Sequence, residues 1–82
     1  MNAAETQDVK SLLIKSDDGF RQLVEQHHQL DDRLHQLAER HYLSDTEQLE
    51  EATLKKKKLA LKDRMEEMAR LYATMHYYHS GH

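Results

Sequence analysis

The side chains best able to do chemistry here are histidines. The chain carries seven: His27, His28, His35, His41, His76, His79 and His82. On a helix His76 and His79 stand i,i+3, with His82 one step further, a spacing that can present imidazoles to Zn²⁺, Ni²⁺ or Cu²⁺. Without cysteine no thiolate can complete such a site. Imidazoles near a helix C-terminus also have a plainer use, because a cation there complements the helix dipole. The expectation is no dedicated metal site and no cofactor, with these three residues as the only metal candidates.

A second group mixes charge with helix periodicity. His27 and Asp31 are i,i+4, so they share a helix face. If the chain folds back on itself, Lys58 and Lys62 come opposite them, with Asp63 nearby. Such a polar layer inside an apolar seam acts as a registry device, fixing the offset of two helices at some cost in stability. The sharper use would be an anion site.

The run Lys55 to Lys58, continued by Lys62 and Arg64, could meet phosphates. Four consecutive helical residues, however, spread around about 300° rather than lining one face. Acidic residues flank the run, no aromatic interleaves for base stacking, and the net charge is −3. Nucleic-acid binding is therefore not expected. There is no G-x-S-x-G, no glycine-rich phosphate loop and no H-E-x-x-H, and the chain is expected not to be an enzyme.

The elements that must position these residues are helices. A third of the 82 residues are charged, proline is absent, and the two glycines, Gly19 and Gly81, leave the interior almost unpunctuated. Phe20, Leu23, His27, Leu30, Leu34, Leu37 and His41 follow one another in steps of three and four, an unbroken heptad seam. Asp17 is a suitable N-cap, and Asp18 suits the positive end of the dipole. A helix is predicted over about 18–40. Ser44-Asp45-Thr46-Glu47 matches a capping box and opens a second helix over about 45–78. Its stripe runs Leu54, Leu61, Met65, Met68, Tyr72 and Met75, with Lys58 in the missing seam position. Leu49, Ala52 and Leu59 form an offset stripe.

A short turn between two long amphipathic helices implies an all-α, coiled-coil-like antiparallel hairpin. Pairing about the turn should bring Leu37 near Leu49, Leu34 near Ala52, and Phe20 near Met65 and Met68. The domain is expected over 17–79, after a flexible 1–16 segment whose apolar patch, Val9 to Ile14, lies within reach of the overhanging end of the second helix. Residues 80–82 are expected to form a tail. One seam per helix is a thin core, and uncovered apolar surface is commonly a partner site. The surface expected to mediate this is Leu59, Met65, Met68, Tyr72 and Met75. Hairpins should pack side by side into a bundle, as a homodimer or homotetramer, with another protein's helix as an alternative occupant. The longest apolar run, Leu12-Leu13-Ile14, is far too short to span a bilayer, and Met1 to Lys10 does not resemble a signal peptide. A cytoplasmic setting is expected, since a chain without cysteine suits a reducing compartment.

Two blocks of residues resemble a known family. The first, Phe20 with Leu23-Val24-Glu25-Gln26-His27-His28-Gln29-Leu30-Asp31, reads F-x-x-L-x-x-x-H-x-x-L-D. The second, Leu54 to Asp63, reads L-K-K-x-K-L-x-L-K-D. Together they resemble the YdcH family (DUF465), small bacterial proteins of unknown function. Helix periodicity alone does not dictate the order of the second block. Asp17 and Asp18 stand where family members often have Asn-Pro, and still cap a helix. The resemblance runs from Phe20 to Met68 and implies a helical hairpin. Function is expected to be that of a small oligomeric interaction or scaffold protein. The alternative is a ligand-responsive binder, taking a transition metal through its histidines or nucleic acid through its basic stripe.

Overall fold

The computed structural model describes the backbone of residues 3–80 and the side chains of residues 8–75. Among these residues there are three α-helices and no strand: α1 (Ala3–Ser16), α2 (Asp18–Ala38) and α3 (Asp45–Ser80). The fold is all-helical, with one helix more than the two expected. The segment expected to be flexible, 1–16, is a helix over Ala3–Ser16, and it packs against both α2 and α3.

Each boundary has a local cause. Asp17 leaves the helical conformation (φ −127°, ψ 113°), and its Oδ1 accepts from the Phe20 amide at 2.8 Å, capping α2. Ala38 ends α2 two residues before the expected position. The Glu39 amide reaches back to the His35 carbonyl and that of Arg40 to Leu37, both at 3.2 Å, which closes the last turn. His41, expected in the seam, is therefore exposed outside the helix. The capping box forms in both directions: the Glu47 amide donates to Ser44 Oγ at 3.2 Å, and the Ser44 amide donates to Glu47 Oε1 at 3.1 Å. α3 then runs to Ser80, past the expected residue 78 and into the segment expected to be a tail.

α2 and α3 run antiparallel, since Arg40 pairs with Glu47, Arg33 with Glu50 and Asp31 with Lys58. The register at the turn differs from the simple expectation. Leu37 is 1% exposed, but Leu49 is 69% exposed and Ala52 also faces solvent. Glu47 and Glu50 take the inward positions there, because they must meet Arg40 and Arg33.

The core lies at the opposite end. Val9 and Leu13 of α1, Phe20 of α2, and Ala69 and Ala73 of α3 form one buried cluster, with Val24, Met65, Met68 and Tyr72 packed against it. The two alanines keep the face of α3 that α1 covers low in side-chain bulk. Lys10 pairs with Glu66 beside the cluster. The molecule is accordingly a rod of 58 × 21 × 17 Å, three helices thick at one end and two at the other.

Candidate functional site

The two-helix arm carries the charged layer. Arg33 is bidentate on Glu50, Nε at 3.1 Å and Nη2 at 2.8 Å, with Nη1 reaching Gln36 Oε1 at 3.2 Å. The guanidinium holds the Glu50 carboxyl below its usual range, and Glu50 raises the Arg33 pKa in return. Two turns further from the tip, Lys58 donates to Asp31 Oδ1. This hydrogen bond is the largest cause of the lowered Asp31 pKa, with smaller contributions from the positive charge available on Lys58, His35 and His27. His35 Nδ1 also lies 2.8 Å from the Asp31 carbonyl oxygen and 3.9 Å from its Oδ2.

Of the five residues expected in the polar layer, then, Asp31 and Lys58 bond directly and His27 is half-buried near Asp31. Lys62 is exposed and borders the groove beside them, and Asp63 is exposed. Isolated surface pairs of this kind contribute little to stability. Their geometric effect is larger, because a one-turn slip would separate each partner.

A shallow groove runs along each side of the α2–α3 seam. One, of about 570 Å³, is lined by Leu34, Ala38 and Leu59 among Asp31, His35, Glu51, Lys55, Lys58 and Lys62. The other, of about 410 Å³, has Leu23, Leu30, Ala60 and Leu61 as its floor and Gln26, Gln29, Lys57 and Arg64 as its rim. Both are apolar strips bordered by polar ends, the arrangement an amphipathic helix would fit.

The expected partner stripe is divided. Leu59 and Met75 are exposed, at 59% and 62%. Met65, Met68 and Tyr72 are half-buried against the cluster that α1 completes. Leu71 is a further exposed apolar residue on α3. Lys55 pairs with Glu51 at 3.7 Å, and Lys58 with Asp31, so the lysine run is partly neutralised by its own chain. The side chains of His76, His79 and His82 lie outside the described residues. Among those described, no three of His, Cys, Asp and Glu converge as a metal-holding group. No described helix is long and apolar enough to cross a membrane.

The family described as a protein of unknown function, DUF465, matches residues 20–69. The chain belongs to the DUF465 family. Its match opens at Phe20 and closes at Ala69, both core residues, so the DUF465 segment is α2, the turn and the first two-thirds of α3. Everything in the polar layer and both grooves falls inside that segment, while α1 lies outside it. No curated protein and no solved structure matches this DUF465 chain.

Sequence reasoning set the patch Val9 to Ile14 within reach of the end of the second helix, where Val9 and Leu13 do pack, but it foresaw neither the full length of α1 nor the alanine pair it covers. The available signal was the seam itself: Val9, Leu13, Ser16 and Phe20 continue the three-and-four stepping of Phe20 to Leu37 backwards without a break.

Proposed function

We propose that this DUF465 protein is a non-enzymatic helical interaction module that self-associates through the uncovered faces of its two-helix arm, as a dimer or tetramer in the cytoplasm. Its surface area carries the reading. The chain exposes 6399 Å², against roughly 5,100 Å² for a compact monomer of its 9.7 kDa mass. The excess exceeds the roughly 800 Å² per partner of an ordinary specific interface. Away from the three-helix end, Leu37 is the sole buried apolar residue among those described, while Leu49 and Leu59 stand in solvent. A second helical surface laid into the grooves would cover Leu59 and the flanks of Leu23, Leu30, Leu34 and Leu61, supplying the core that one seam does not.

Sedimentation velocity across a concentration series tests this. The wild-type chain should show a mass of two or four protomers, and Leu59→Glu should shift it to the monomer with its helical circular dichroism intact. A wild-type monomer at every concentration would refute the proposal.

A further inference from the structure

The connection between α1 and α2 is one residue long. The Asp17 amide donates to the Leu13 carbonyl at 2.8 Å, and the Arg21 amide donates to the Asp17 carbonyl at 3.0 Å. Both are i to i−4 bonds, as in a continuous helix. Only the amides of Asp18, Gly19 and Phe20 stand outside the ladder, and the Phe20 amide is taken by the Asp17 carboxylate. A change in φ and ψ at the single residue Asp17 is therefore nearly all that separates a folded-back α1 from one that runs straight on into α2.

The sequence is suited to the straight form. Val9, Leu13, Ser16 and Phe20 keep the heptad phase of Leu23 to Leu37, so no stutter marks the break. α1 (14 residues), Asp17 and α2 (21 residues) would together make one helix as long as α3 (36 residues). Against it stand the Asp17 cap and Gly19, a poor residue for a helix interior.

In the folded-back form α1 fills a specific slot. Continuing straight in the register set by Asp31 and Lys58 would carry Lys10 roughly 13 residues, or ~20 Å, beyond Glu66 along α3. Instead Lys10 pairs with Glu66, and Val9 and Leu13 bury themselves on Phe20, Ala69 and Ala73.

We propose that α1 is an exchangeable arm: two copies unbend at Asp17, and each fills the Phe20–Ala69–Ala73 slot of the other with its own Val9 and Leu13. A connection this short around a reversible bend is the setting in which identical elements swap between protomers. The occupant is a second copy because the slot already fits α1 residue by residue, ion pair included. Exchange keeps the slot contacts of Val9, Lys10 and Leu13 and adds the restored helix at residues 18–20. The proposal rests on the self-association argued above, and adds to the contacts of the arm an exchange at the three-helix end.

The test uses the native Lys10–Glu66 pair. Isotope-labelled and unlabelled chains are mixed in equal amounts in urea, refolded together and treated with a zero-length carbodiimide that joins the amine to the carboxylate. Swapping predicts that about half of the Lys10–Glu66 cross-linked peptides carry one labelled and one unlabelled strand, the random-pairing value for a swapped dimer. The double variant Asp17→Ala/Gly19→Ala, which removes the cap and the glycine, should form the mixed product at lower protein concentration. Inserting three glycines between Ser16 and Asp17 should abolish it while leaving same-isotope cross-links. Same-isotope cross-links alone, from a wild-type chain that sediments as an oligomer, would overturn the swap and leave self-association standing. The same result from a chain that sediments as a monomer would overturn both.

Discussion

Arg33 of α2 grips Glu50 of α3 through two nitrogens at once, 3.1 and 2.8 Å from the carboxylate oxygens, across 17 residues of chain. A fork on a carboxylate admits one relative placement of the two helices, and lysine cannot reproduce it. Arg33→Lys should therefore lower the melting temperature modestly in low salt. The gap to wild type should narrow at ~1 M salt, where the Debye length falls to about 3 Å. Thermal denaturation by circular dichroism at the two salt concentrations checks this; equal melting curves in low salt would show that the fork contributes nothing.

Acid should loosen the arm. Asp31, Glu47 and Glu50 all have carboxyls held below their ordinary range: Asp31 chiefly by the Lys58 hydrogen bond, Glu47 by the Ser44 backbone, and Glu50 by Arg33. Each is more acidic folded than unfolded. Its stabilisation is complete above the ordinary value, 4.5 for Glu and 3.8 for Asp, and drains as pH falls through the lower folded value. The melting temperature should be flat from pH 7 to about 5 with respect to these groups and should fall below that. In the triple variant Asp31→Asn/Glu47→Gln/Glu50→Gln the acid limb should be shallower; an identical limb would remove these three from the account.

Adjacent leucines on α1 should behave oppositely. Leu13 is buried in the cluster at 3% exposure, while Leu12 is 50% exposed. Leu13→Ala should cost about 2–4 kcal/mol, from lost burial and an incompletely filled space. Leu12→Ala should stay within ~0.5 kcal/mol. Urea unfolding of the two variants measures the contrast, and comparable costs would show that α1 does not dock by this face.

The capping box offers a finer test. Ser44→Ala removes the acceptor for the Glu47 amide and should cost about 1 kcal/mol, or roughly 4–8 °C for a chain of this size. Ser44→Gly should cost only a few tenths of that. Melting temperatures of the two variants in one buffer decide it; if alanine and glycine are equivalent, the hydroxyl is not the cap.

Features that neighbouring residues settle among themselves were legible in the sequence. The seam of Phe20 to Leu37, the Asp17 cap and the Ser44–Glu47 box all depend on spacings within one or two turns of helix. The meeting of Asp31 with Lys58 needed one further step, folding the chain back about a short turn. The turn register was harder, because Arg33 and Arg40 draw Glu50 and Glu47 inward and leave Leu49 outside, against the hydrophobic pattern. α1 was hardest. Leu12, Leu13 and Ile14 are consecutive, which blurs any period, and their slot is made by Ala69 and Ala73, which carry almost no polarity contrast. What buries α1 is a shape on α3 more than fifty residues away.

Grouping the large buried side chains around Ala69 and Ala73 gives the rod a graded firmness. Backbone amides near that end are guarded by packing from three directions, whereas those flanking residues 39–44 are guarded by one leucine, Leu37, and a few charges. Warming or dilute denaturant will fray the loop end while the base holds its shape, since opening energies follow local burial. The base is thus an anvil, and the tip is the part that yields.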